Sequence, residues 1–199
     1  MAQEIPRRKI LLGAATIPFQ QPPTKVQLNT PFGIIRIQLH SDRAPLSTTD
    51  FLKYVDARAY DGGRFFRVVR PNNDRGHPHI AVVQGGTRPN AHLGPPIKHE
   101  TTAITGLHHL DGTVSLTRDA PGTASGAEFF ICIGPQPALD FGGTRNPDRQ
   151  GFAAFGQVIT GMDAVRRIWV LDASGHSDDA YTAGQILRAP VPIIAARRI

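Results

Sequence analysis

From Lys25 onward the chain alternates short runs of β-branched and aromatic residues with polar breaks rich in glycine and proline. Apolar residues at every second position mark strands with one buried face. Val26 to Thr30 and Gly33 to Leu39 follow that rule, with Ile35, Ile37 and Leu39 alternating against Arg36 and Gln38 across a turn at Pro31 and Phe32. The period then changes. After a break at Asp42, Ala44 and Pro45, Ser47 or Thr48 is placed to cap a helix running to Ala59, with Phe51, Leu52, Val55 and Ala59 on one face. Arg64 to Val69 and Ile80 to Gln84 read as two neighbouring strands around a loop of Pro, Gly, Asn and Asp. Pro89, Pro95 and Pro96 leave Gly85 to Gly112 as surface loops. Strands return at Thr113 to Leu116, Glu128 to Ile133 and Phe152 to Val158. A helix from Gly161 to Leu171 buries Met162, Val165 and Ile168 and ends before Gly175, and Pro190 to Ala195 offers a last strand.

Many short strands with only two helices favour a mainly β fold, a closed antiparallel barrel, over alternating βαβ units. A chain of 199 residues, 40% of them hydrophobic, supports one core, and 25–199 is expected to form a single domain. The formal charge of +6 is spread over scattered arginines, which fits a solvated basic surface and no nucleic-acid site. Cys132 is the sole cysteine and sits between Ile131 and Ile133, so it forms no disulfide within the chain and reads as a buried strand residue.

Residues 1–24 have a different character. Arg7, Arg8 and Lys9 precede an apolar run ending near Phe19, then Gln20, Gln21, Pro22 and Pro23. Basic, apolar and polar segments in that order resemble a twin-arginine export signal, and the apolar part is too short to span a bilayer. Export to the periplasm or beyond is expected, with a disordered tail on a cytoplasmic protein as the alternative.

The candidate chemistry lies in Asp61 to Gly86. Arg67 stands between Phe66 and Val68, and Gln84 precedes a glycine pair, so a guanidinium and an amide on adjoining strands are placed to grip one peptide group. Other constellations are weaker. His77, His79, His92, His99, His108 and His109 are irregularly spaced in loops and give no metal-ligand pattern. Ser115 and Ser125 lie outside any nucleophile elbow.

Taken in order, YDGGRFFRVV, VVQGG, GTVSLTRDAPGTASGAEFFI and GFAAFGQVITGMD resemble the cyclophilin-type peptidyl-prolyl isomerases, above all the bacterial branch, over most of Lys25 to Ile199. The resemblance implies a closed eight-stranded antiparallel barrel capped by two helices, with a substrate groove on its outer face. It also implies isomerisation of the bond before proline without cofactor or metal. The partners it implies are proline-containing peptides and unfolded proteins. The chain is expected to act as a monomer, without stable membrane insertion. By the same motifs the catalytic arginine falls on Arg67 and the groove glutamine on Gln84. Phe130 falls on the floor of the proline pocket, Leu139 on its wall, Val82 in place of a methionine, and Phe152 where relatives carry histidine or tyrosine. Thr117 and Arg118 match a pair whose backbone grips the peptide.

Four departures bear on rate. Ala81 stands where a pocket phenylalanine is usual, Ala138 where a tryptophan or phenylalanine flanks the groove, Phe66 where histidine is common and Glu128 where glutamine is usual. Losing a large ring removes roughly 1.5 to 3 kcal/mol of apolar burial, so reduced activity and poor cyclosporin binding are expected. The loop from Pro71 to Pro78 is longer than usual, and His79 or Ile80 is available to refill the gap. The alternative reading is a proline-peptide binding module or chaperone with little turnover.

Overall fold

A computed structural model of the chain describes residues 23–199. The twin-arginine segment with Arg7 and Arg8 lies outside the described residues. Nine strands form one antiparallel sheet: β1 Lys25–Thr30, β2 Gly33–Leu39, β3 Gly63–Val69, β4 Val82–Gly86, β5 Thr113–Leu116, β6 Glu128–Cys132, β7 Ala153–Thr160, β8 Ile186–Ile193 and β9 Ala195–Arg198. Their order is β8-β3-β4-β6-β5-β7-β2-β1-β9. The two outermost strands are consecutive in the chain, separated only by Ile194, whose amide donates to Asn29 O at 2.8 Å. One C-terminal segment thus pairs with β3 through its first half and β1 through its second, closing the sheet on itself. Counted as one bent strand, that segment makes the barrel eight-stranded, as expected.

The inner face follows the alternation read in the sequence. Val26, Leu28, Ile35, Ile37, Leu39, Val83, Phe129, Ile131 and Val114 all enter the same buried core. Helix α1, Pro45–Asp56, closes one end, with Phe51 packed on Phe155, Tyr60 and Phe129 at centroid separations of 5.0, 5.3 and 5.8 Å. That approach needs a glycine opposite: a Cβ on Gly126 would lie 2.6 Å from Phe51 Cα. Helix α3, Met162–Trp169, closes the other end with Ala164, Val165 and Ile168.

Several boundaries differ from the sequence reading. Helix α1 starts at Pro45, because proline's fixed φ suits the first helical position. Ser47 and Thr48 therefore lie inside the helix. The cap comes from Glu100, whose carboxylate accepts the amides of Leu46 and Ser47 at 3.0 and 2.7 Å. The stretch between β4 and β5 contains one turn of helix, α2 Thr102–Thr105, so there are three α-helices among the described residues. Strand β8 begins at Ile186, four residues before Pro190. Its prolines, 190 and 192, are exposed on an edge that pairs only with β3, where the missing N–H groups cost nothing, while Leu187, Val191 and Ile193 point inward.

Candidate active site

A β-bulge builds the site. Pairing of β3 with β4 runs Arg64 to Gly86 and Phe65 to Gly85, then skips Phe66 and resumes with Arg67 opposite Gln84. The extra residue turns the strand over, so Phe65 and Val68 face the core while Arg67 and Val69 face outward. Without the bulge, Phe65 and Arg67 would share one face. Outward-facing Val69, Val82, Phe130 and Cys132 form a second apolar cluster outside the barrel, completed by Ile80, Leu139 and Phe152. Burial pushes the Cys132 thiol well above its ordinary pKa.

All of that cluster except Cys132 lines a groove of about 690 Å³ with Arg67, Gln84, Thr117, Arg118, Glu128, Arg145 and Tyr181. Every site residue expected from the sequence is therefore brought together. Phe130 forms the floor, flat on His109 with 5.8 Å between centroids and edge-to-face with Phe152 at 5.4 Å. Leu139 sits on a 3₁₀ turn, Pro137–Leu139, and its carbonyl accepts the Phe152 amide at 2.9 Å, tying the two walls. Arg118 is a wall rather than a free cation. Its guanidinium lies 5.2 Å from the Phe152 centroid and is held by two bonds to Asp148, 2.8 and 2.9 Å, and one to Gly151 O, 2.7 Å. The Thr117 amide donates to Glu128 O at 3.4 Å.

Arg67 is held from two sides. Its Nη1 donates to Gln84 Oε1 at 3.0 Å, and Nε and Nη2 donate to Gln185 Oε1 at 2.8 and 2.6 Å. Gln84 Nε2 donates in turn to Glu128 Oε2 at 3.0 Å. Burial pulls the Arg67 pKa below the usual arginine value, which still leaves the group charged near neutrality.

The loop after β3 supplies one wall of the pocket. Ile80 enters the pocket and Ala81 does not, its amide bonding Gln136 Oε1 at 3.2 Å. His79 stays outside, its Nδ1 3.9 Å from Asp74 Oδ2. Asp74 organises the loop, accepting the amides of Gly76 and Ile80 at 3.0 and 2.8 Å and both terminal nitrogens of Arg145 at 2.6 and 2.7 Å. Arg145 also donates to the Tyr181 hydroxyl at 2.6 Å, so three loops meet at one guanidinium. The Arg145 amide donates to Ala138 O at 3.3 Å, which places the two residues side by side at the groove.

The sequence reading missed Gln185, Tyr181, Asp74 and Arg145, because none stands in a periodic run. It also missed an alignment behind the floor. His109 Nδ1 lies 2.6 Å from Asp140 Oδ1, and Nε2 lies 3.1 Å from Ser115 Oγ. Burial raises the Asp140 pKa, but hydrogen bonds from His109 and His108 outweigh it and hold the carboxyl below its usual range. Ser115 and His109 are 0% and 1% exposed beneath Phe130, so no substrate reaches them and the trio acts as a polar support for the floor. Among the described residues no three of His, Cys, Asp or Glu gather into a metal site.

Residues 25–191 match the family model for the cyclophilin type peptidyl-prolyl cis-trans isomerase/CLD. This chain belongs to that family. A peptidyl-prolyl cis-trans isomerase of Acinetobacter baylyi is 32% identical over 148 residues, 73% of this chain and 71% of the relative. Peptidyl-prolyl cis-trans isomerase A of Dickeya dadantii is 33% identical over 149 residues, 73% of this chain and 70% of the relative. Among solved structures, a Cryptosporidium parvum cyclophilin shares the fold with a TM-score of 0.66 at 16% identity, covering 89% of this chain and 98% of its own. A structure of that same protein was obtained in the presence of the dipeptide Ala-Pro. The cyclophilin described here is a peptidyl-prolyl cis-trans isomerase by this membership.

Proposed function

We propose that Arg67 is the catalytic residue of this cyclophilin, and that Phe130, Val82, Leu139, Phe152 and Ile80 hold the proline ring. The observation that supports this reading is a charged guanidinium fixed beside an apolar pocket on the barrel's outer face. Rotation about a peptide bond is resisted by about 18 to 20 kcal/mol because the nitrogen lone pair is delocalised into the carbonyl. An N–H of Arg67 donated to the prolyl nitrogen localises that pair as the nitrogen pyramidalises, an interaction stronger in the transition state than in the ground state. The apolar pocket orients the ring and excludes water. No nucleophile and no proton transfer is needed. Gln84, with one amide hydrogen on Glu128, has another for a peptide carbonyl, and Thr117 and Arg118 border the segment beside it.

The pocket is smaller in aromatic area than one carrying rings at positions 81 and 138, and Ile80 restores only part of that wall. We therefore place turnover below that of members with both rings. The test is a protease-coupled isomerase assay on a set of Xaa-Pro peptides with wild type and Arg67→Ala. Losing a preorganised donor of this kind costs about 10²- to 10³-fold in rate. Equal rates in the two proteins would reject the assignment.

A further inference from the structure

Gln185 is fully buried, yet its side chain spends its whole hydrogen-bonding capacity around Arg67. Its Oε1 accepts Nε and Nη2 of Arg67 at 2.8 and 2.6 Å. Its Nε2 donates to Asn73 O at 3.0 Å and Tyr181 O at 3.2 Å, which fixes which end of the amide faces the guanidinium. The backbone is fixed as well, since Val68 N donates to Gln185 O at 2.9 Å beside Arg67 itself. Asn73 Nδ2 then donates to Val68 O at 3.2 Å and Gly184 O at 2.9 Å, so the extended loop after β3 clamps the residue from both neighbours.

We propose that Gln185 is a positioning residue for the isomerase reaction, a neutral acceptor that fixes the Arg67 guanidinium while leaving its charge uncompensated. The inference rests on the assignment of Arg67 as catalytic. Gln84 and Gln185 together occupy three of the guanidinium's N–H groups, one on each of its nitrogens. Of the five N–H donors that arginine carries, one on each terminal nitrogen is left for the peptide. Contrast comes from the other arginines of the groove. Arg118 and Arg145 are each held by an aspartate through two bonds, and each serves as wall or loop tie. Among the described residues Arg67 makes no ion pair with a carboxylate. A carboxylate at position 185 would still accept Nε and Nη2, but it would neutralise the charge that has to act on the prolyl nitrogen, and its second oxygen would face Asn73 O and Tyr181 O without a hydrogen to donate. The difference between amide and carboxylate therefore separates a structural from a positioning role.

The decisive variant is Gln185→Glu, with Gln185→Leu and Arg67→Ala beside it. Thermal melting reports fold stability, and NMR exchange spectroscopy on an Xaa-Pro peptide at saturating and sub-saturating concentrations separates kcat from KM. Gln185→Glu is expected to stay folded but melt below the wild-type temperature, because the new ion pair only partly offsets the two hydrogen bonds lost at Asn73 O and Tyr181 O, while kcat falls about tenfold and KM stays within about twofold. Gln185→Leu is expected to lose about ten- to a hundredfold in kcat, matching the loss of hydrogen bonds to a charged group. Wild-type protein supplies a readout that needs no variant to fold: the Arg67 Nε–H should exchange slowly with solvent. A folded Gln185→Glu protein with undiminished kcat, or a rapidly exchanging Arg67 Nε–H, overturns the proposal. If Arg67→Ala itself keeps the wild-type rate, the underlying assignment fails instead, and the two failures are told apart by that control.

Discussion

Ile80 offers a quantitative test of the loop's contribution to the pocket. It is 8% exposed and packs with Val82, Phe130 and Leu139. Its amide is held by Asp74 Oδ2 at 2.8 Å, so truncating the side chain leaves the main chain where it is. Ile80→Ala removes three carbons, worth about 2.4 kcal/mol at about 0.8 kcal/mol per buried carbon. Only 8% of the residue is open to a substrate, so most of that loss falls on fold stability and is read as a lower melting temperature, and the share left to substrate binding is roughly 0.3 kcal/mol. That is under about twofold in kcat/KM. The ring is held alike in ground and transition states, so this small loss should appear in KM with kcat unchanged. Ile80→Phe adds apolar area at the same place and should lower KM. Thermal melting and initial rates over a range of peptide concentrations measure these effects for the three proteins. If Ile80→Ala melts at the wild-type temperature, or kcat falls at constant KM, Ile80 is not a wall of the proline pocket.

Two further outcomes follow from buried charges and thiols. Burial works to raise the Asp74 pKa, but hydrogen bonds from Arg145, Ile80 and Gly76 outweigh it and hold the carboxyl below the usual value. A depressed carboxylate stabilises the fold fully above its unfolded value of about 3.9, and that stability is lost as pH falls through the folded value. Wild type should accordingly melt at progressively lower temperature below about pH 4, while Asp74→Asn starts lower at neutral pH and shows a flatter acid limb; parallel curves would contradict the pairing. Cys132, 0% exposed with its thiol pKa raised by burial, should react with a thiol reagent only after denaturant unfolds the barrel, and rapid labelling of the native protein would place it outside the cluster described.

The faces of most strands were legible because alternation alone decides them. Val82, Gln84, Phe130 and Leu139 could be assigned to one groove only through the resemblance, since they come from separate parts of the chain. The bulge at Phe66 was not legible. FFRVV has apolar residues on both sides of Arg67, so nothing local says that the strand turns over there. The last strand was read as Pro190 to Ala195, and its start at Ile186 was not legible because Ile186 and Leu187 are followed by Arg188 and Ala189 without a clear alternation. Gln185 and Tyr181 lie in a stretch of Ser, Asp, Thr, Ala and Gly without periodicity, and their roles depend on other loops, 112 residues away for the Gln185–Asn73 bond and 36 for the Arg145–Tyr181 bond. The loop between β3 and β4 looked like a connector with a spare side chain. In the folded protein it brings Ile80 into the pocket and holds Gln185 against Arg67.

The assignment of the reaction to Arg67 is tested most directly by exchange at saturation. With an Xaa-Pro peptide in excess over its dissociation constant, NMR line shapes report the cis–trans rate on the protein, independent of how tightly the peptide binds. Arg67→Ala should still bind the peptide through the apolar pocket, within a few-fold of wild type, while the rate on the protein falls about 10²- to 10³-fold. An unchanged on-protein rate in Arg67→Ala would contradict the account.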